Sequence, residues 1–300
     1  MDKQRLNEQM AIPGTVVFAE GQGGLVRGEL TAGGAVGHVD LHGAHLTHWA
    51  PVAGKPVLWI SERSRFEQGV PIRGGVPVCW PWFGPHPSRP ELGNHGFVRT
   101  MPWAVEGVTQ PDAEHVSVTL RVKDTEQTRA IWPYAFELRL TITVGAELAM
   151  ALEVRNTGDA PFTFSEAFHP YFAVGDIREA AVGGLSGLEY VDLRDGSRHH
   201  DDAPRLLFTG ETDREYVDTR TETCLEGGLH FRRIRIAKTG SDSTVVWNPW
   251  AGKAREMSDF GDDEWVGMVC VEPANAATCN AVTLRPGERH VMTATISVAR

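Results

Sequence analysis

Apolar and polar residues alternate along much of this chain. In Val116–Lys123 the apolar positions are Val116, Val118, Leu120 and Val122, with Ser, Thr and Arg between them. Residues 137–144 repeat the pattern with Leu138, Leu140, Ile142 and Val144, and residues 148–155 with Leu148, Met150, Leu152 and Val154. Phe162–Phe164 and residues 232–236 and 290–298 continue it. A strand shows successive side chains to opposite faces, so this period predicts half-buried antiparallel strands. Turn chemistry separates the runs, as Asn-Thr-Gly-Asp at 156–159, Lys-Thr-Gly-Ser at 238–241 and Arg-Pro-Gly-Glu at 285–288. Helical periodicity is scarce; residues 61–66 and 124–130 are the two segments expected to make a short helical turn. Many strands and few helices predict an all-β chain of two large packed sheets. No linker or internal repeat interrupts it, so residues 11–300 are expected to form one domain. The polar residues 1–10 are expected to fray.

Composition changes this picture little. The 300 residues are 41% hydrophobic and 23% charged, an ordinary globular balance. The net charge of -10 comes without a block of Lys or Arg, so a nucleic-acid partner is not expected. No run approaches the roughly 20 apolar residues of a membrane span, and the first residues lack the apolar core of a signal peptide. Cys79, Cys224, Cys270 and Cys279 form no CxxC pair. A cytoplasmic protein with reduced thiols is expected. Cys270, inside an apolar run, is expected to be packed rather than reactive. With no coiled-coil pattern, a monomer is expected.

Four segments break the alternation and carry most of the chemistry. Residues 71–84 (PIRGGVPVCWPWFG) hold one charge, Arg73, beside Gly74 and Gly75, which permit close backbone approach. Arg73 reads as a surface arginine at a turn or as an anion ligand at a pocket floor. Residues 93–100 (GNHGFVRT) set His95 and Arg99 around Gly96 as a turn or as a pair aimed at a ligand. Residues 166–172 (EAFHPYF) place His169 among aromatics and before Pro170, which biases it to extended backbone. Residues 268–275 (MVCVEPAN) end an apolar strand on Glu272, on the face of Met268 and Cys270. A carboxylate on an apolar face resists ionisation, so its basicity is tunable; the alternative is a salt-bridged structural glutamate. Asp213 lies in a loop at 210–214, and residues 245–253 (VVWNPWAGK) offer flat aromatic surface beside Lys253.

Taken in order, the RGGVPVCWPWFG, NHGFVR, FHPYF, TGETDR, WNPW and VCVEP segments resemble the aldose 1-epimerase (galactose mutarotase-like) superfamily, most closely its glucose-6-phosphate 1-epimerase branch. The resemblance spans about residues 35–298. It implies an antiparallel β-supersandwich with few short helices and an active site on one sheet. It implies that His169 is the general acid and Glu272 the general base of ring opening, and that His95 and Asp213 hold sugar hydroxyls. Arg73 and Arg99, with Lys253 as a weaker candidate, would form the phosphate side. The expected activity is interconversion of the α and β anomers of a hexose 6-phosphate, without metal or cofactor. His169 would have to start protonated, helped by Asp213 or by the substrate phosphate.

Other readings predict different observations. Free hexoses in place of sugar phosphates would leave the family right and the arginine argument wrong. A carbohydrate-binding or sugar-sensing protein would bind without turnover. A glycoside hydrolase would need two carboxylates flanking the bond. A metal enzyme could draw on His42, His45 and His48, or on residues 199–202, but spacing by three alternates faces along a strand and the second set lies in a polar loop.

Overall fold

The computed structural model describes residues 2–51, 54–228 and 232–299. Most of the alternating runs form the larger of two principal sheets, while Phe162–Phe164 pairs with Val282–Leu284 in a separate two-stranded sheet. One half of the larger sheet is a meander of Ala104–Thr109, Val116–Lys123, Phe136–Val144 and Leu148–Asn156, with Ala104–Thr109 at the edge, joined through Arg289–Ala299 to Arg232–Thr239 and then Thr223–Gly228. Every pairing there is antiparallel. Val118, Leu120, Leu140, Ile142, Leu152 and Ile296 are each at most 2% exposed. The alternate face carries polar cross-strand pairs such as Ser117 Oγ with Thr143 Oγ1 at 2.7 Å. Each fully buried Leu or Ile contributes roughly 1.5–3 kcal/mol, which is why this face is turned inward.

The second sheet holds the unusual segments. Its order is Arg198–Asp201, Leu188–Asp192, Thr212–Tyr216, Ser243–Asn248, Met268–Asn275, Glu166–Phe168 and Val78–Cys79, with Tyr171–Ala173 also paired to Met268–Asn275. Met268–Asn275 is buried along its whole length. Val269 and Val271 join Leu138, Leu140 and Ile142 in one apolar cluster that spans the two sheets. A third sheet, of four strands from Val16–Glu20 to His45–Ala50, adds Trp49 and Leu46 to the same cluster.

The helical expectations are met in part. Residues 1–10 were expected to fray, yet Lys3–Met10 is a helix: Asp2 caps it by accepting from Gln4 N, Leu6 is buried, and Asn7 pairs both polar groups of Phe18. Residues 61–66 make no helix but do close one hydrogen-bonded turn, Ser64 N to Ser61 O at 3.1 Å, and Glu264 accepts from both the Ser61 hydroxyl and Glu62 N. The turn expected at 124–130 is the helix Glu126–Ile131, with Thr125 and Thr128 closing a capping box. The helix Trp250–Glu256 was not anticipated. No helix among the described residues is long and apolar enough to cross a membrane.

Candidate active site

The register of the second sheet brings the pieces together. Ala167 pairs with Ala274 on one side of His169-Pro170, and Tyr171 pairs with Cys270 on the other. Both pairs belong to one continuous register, and carrying it through the gap sets His169 opposite Glu272. Pro170 has no N–H to give the ladder, so the strand is split there and the register is kept. On the far side of Met268–Asn275, Trp247 pairs with Cys270, and Asp213 with Trp247, so Asp213 stands on the strand Thr212–Tyr216 and not in the loop expected. Directly opposed residues share a face. Asp213, Trp247, Cys270 and Tyr171 therefore form one row, with Glu272 and His169 in the next row of the same face.

His169 Nε2 lies 3.4 Å from Glu272 Oε1. His169 is 7% exposed and Glu272 1%. The His169 ring stacks on Tyr171 at 4.8 Å and 13°, and meets His95 edge-on at 5.4 Å. Glu272 Oε2 and His169 Nδ1 are buried with no hydrogen-bond partner, an arrangement that is costly unless a ligand or a proton transfer uses it.

Two loops complete the surroundings. In residues 71–84, Gly74 and Gly75 both have positive φ, and a Cβ on Gly75 would lie 2.4 Å from Leu46 O. His45 braces the same turn through Nε2 and Gly74 O at 2.7 Å. Arg73 is held by Asp259 through Nε and Nη2, both at 3.2 Å, and donates to the Tyr171 hydroxyl at 2.9 Å. In residues 93–100, His95 takes φ 67 and its Nδ1 accepts from Gly84 N at 3.2 Å, leaving Nε2–H to donate. Arg99 donates to Asn94 O at 2.8 Å, while its buried Nε has no partner. Among the described residues Arg99 makes no ion pair.

Burial sets the charge state of this face. It pushes His169 down to about 3, with Arg73 and Arg99 adding to the effect. It pushes Glu272 well above the usual carboxylate range, with Asp213 contributing. Asp213 is raised to about 7 by burial and by its acidic neighbours Asp192 and Glu211. His95 is held well below its ordinary value by burial and by Arg99. The expectation that His169 starts protonated therefore fails in the unliganded protein. Burial thus disfavours the charged form of both groups, since two charges out of water cost more than a neutral pair.

Six of the seven candidates thus share one face or its two bordering loops. Lys253 does not join them: it is exposed on Trp250–Glu256 and paired with Glu256 at 2.9 Å. Tyr171 and Asp259 went unrecognised. Two-residue spacing from His169 would have flagged Tyr171, whereas nothing in its neighbourhood of sequence marks Asp259. The histidines at 42, 45 and 48 diverge, to Val70 O, to Gly74 O and to a stack on His38. Among the described residues, the side chains that could jointly hold a metal are His169, Cys270 and Glu272.

Comparison with known proteins bears on the family and the fold. A family model described as aldose 1-epimerase matches residues 29–297. A protein of Cenchrus ciliaris named "Putative glucose-6-phosphate 1-epimerase" is 35% identical over 83% of this chain and 77% of its own length. One of the same name from Escherichia coli K12 is 35% identical over 81% of each. The crystal structure of a "putative mutarotase" from Salmonella typhimurium superposes with a TM-score of 0.89 at 30% identity, covering 97% of this chain and 96% of that one.

Proposed function

The chain belongs to the aldose 1-epimerase family, and from that premise we propose that it is an isomerase interconverting the α and β anomers of a hexose 6-phosphate, with His169 and Glu272 as its acid–base pair. The observation that carries this reading is the buried contact of His169 Nε2 with Glu272 Oε1 at 3.4 Å. Ring opening needs a proton removed from the C1 hydroxyl and one delivered to the ring oxygen. Glu272 as carboxylate accepts the first, His169 as imidazolium delivers the second, and the C1–O bond breaks to leave an open-chain aldehyde. Rotation about C1–C2 and reversal of both transfers give the other anomer and restore the pair. Only one proton is needed across the pair, so no metal or cofactor enters the reaction.

The substrate's own charge supports the required protonation. In the unliganded site burial, with Arg73 and Arg99 adding to it, disfavours the imidazolium form of His169. A phosphate dianion held by Arg99 offsets that positive field and favours the imidazolium form. His95 Nε2–H and Asp213 are suited to sugar hydroxyls, and Trp247 to the C–H face of the ring. Four free cysteines suit a reducing compartment such as the cytoplasm. One observation favours free hexoses instead: Arg73 is already occupied by Asp259, so the phosphate reading leans on Arg99.

Anomer exchange of glucose 6-phosphate followed by NMR saturation transfer tests the proposal. Wild type should accelerate exchange, and His169→Ala and Glu272→Ala should each lose roughly 10²–10⁴-fold while remaining folded. Exchange at the spontaneous rate with every hexose and hexose phosphate would overturn it.

A further inference from the structure

Cys270 takes no part in the reaction just described, yet it lies in the same row as Trp247 and Tyr171 and beside Glu272. Its sulfur, His169 and Glu272 offer ligand atoms that all lie within 4.8 Å of one another. We propose that His169, Cys270 and Glu272 form a binding site for a thiophilic divalent cation, Zn²⁺ or Cd²⁺, whose occupancy blocks the catalytic pair.

The geometry sets two of the three ligand atoms at a tetrahedral edge and keeps the third within 4.8 Å of them. Nitrogen and oxygen ligands at ~2.0–2.1 Å from zinc sit about 3.3–3.4 Å apart along a tetrahedral edge. His169 Nε2 and Glu272 Oε1 are 3.4 Å apart, so the two need no rearrangement to share an ion. The sulfur, within 4.8 Å of both, supplies a third corner once it closes to the ~3.6 Å edge that a ~2.3 Å Zn–S bond sets, and the fourth is left to water or to a substrate oxygen. The unpartnered Glu272 Oε2 gives that carboxylate a second donor atom with nothing else to bind.

The donor set selects the ion. Thiolate and imidazole favour Zn²⁺ and Cd²⁺ over the oxygen-seeking Mg²⁺ and Ca²⁺. Coordination replaces the S–H bond of Cys270 with S–metal and the O–H bond of Glu272 with O–metal, and both protons go to solvent. Asp213, which lowers the potential around both Cys270 and Glu272, partly offsets the repulsion from Arg73. His169 Nδ1 has no partner to orient the ring or strengthen its basicity. Such missing support lowers metal affinity by about 10–100-fold, which suits a reversible inhibitory ion better than a permanent structural one.

Binding stands on the ligand geometry alone; only the block of activity rests on the acid–base reading of His169 and Glu272. The test therefore reads binding first. Cd²⁺ is titrated into the full chain and the thiolate-to-metal absorption band in the ultraviolet is recorded for wild type, Cys270→Ala and His169→Ala. Expected is a saturable one-equivalent band in wild type, absent in Cys270→Ala and at least tenfold weaker in its midpoint in His169→Ala. Near-UV circular dichroism reports whether each variant is folded; if Cys270→Ala is not, the His169→Ala midpoint decides. No band in wild type, or a band unchanged by both substitutions, would mean that no such site exists or that Cys79, Cys224 or Cys279 holds the ion. Zn²⁺ should then slow anomer exchange competitively with glucose 6-phosphate, with exchange restored by a chelator. Saturable binding without inhibition would leave the metal site standing and count against the acid–base assignment.

Discussion

At the scale of single residues, two arginines that look equivalent in sequence are in different states. Arg73 is locked to Asp259 and Tyr171, and its charge is largely spent inside the protein. Arg99 has one backbone acceptor and a buried, unpartnered Nε. A guanidinium keeps its charge even where burial pulls its pKa down, so it attracts an anion strongly. Hydrogen bonds to a charged group contribute about 1.5–3 kcal/mol. Arg99→Ala is therefore expected to lower kcat/KM for glucose 6-phosphate by roughly 10–150-fold and to leave free glucose unaffected. Parallel kinetics on the two sugars check this, and an equal loss on both would assign Arg99 to the scaffold.

At the scale of elements, the loop of residues 93–100 is held by a glycine that cannot be replaced. Gly96 has φ +67, and a Cβ there would fall 1.8 Å from Trp80 O. Its neighbour His95 also takes positive φ, a strained choice for a side chain of that size and one that positions its ring beside His169. Gly96→Ala must push the loop away from Trp80 and carry His95 with it. The expected result is a rise in KM of about tenfold or more, equivalent to ~1.4 kcal/mol, with a smaller change in kcat. Steady-state kinetics with hexose 6-phosphate would show it; unchanged KM would mean that His95 does not touch the sugar. The strand at 166–173 shows the converse, an interruption with no loss of register. Pro170 opens the ladder, and pairing on both sides continues as if it were absent.

At the scale of the whole molecule, the site weakens the fold that carries it, and pH exposes the cost. The carboxyl of Asp213 is raised from 3.8 to about 7 on folding. The native state thus binds more protons than the unfolded state between about 4 and 7, and this group's contribution to stability falls as pH rises through that window. His169 and His45, lowered from 6.5 to about 3, act oppositely: their contribution falls as pH drops from about 6.5 toward 3. Asp213→Asn is therefore expected to be more stable than wild type at pH 8, with the advantage shrinking as pH falls through 7 toward 4. Thermal melts of both proteins across pH 4–8 check the sign. A constant difference would mean that Asp213 is not buried in the ionised form.

What the amino-acid order determined by itself was local: alternation at 116–123, 137–144 and 148–155 dictates half-buried strands, because a period of two leaves one face wet. Turn residues mark where those strands stop. The candidate residues were also legible, since His169, Glu272, Arg73, His95 and Arg99 stand where alternation fails and chemistry is dense. Their states were not legible. Which arginine is neutralised depends on Asp259, 186 residues from Arg73 along the chain. Which charged forms His169 and Glu272 favour depends on burial, and burial is decided by packing. Lys253 shows the limit from the other side: it is near WNPW in sequence, but the helix Trp250–Glu256 gives it Glu256 as a partner and an exposed position. Charge and protonation are sums over neighbours in space, and only the register and packing of the sheets say who those neighbours are.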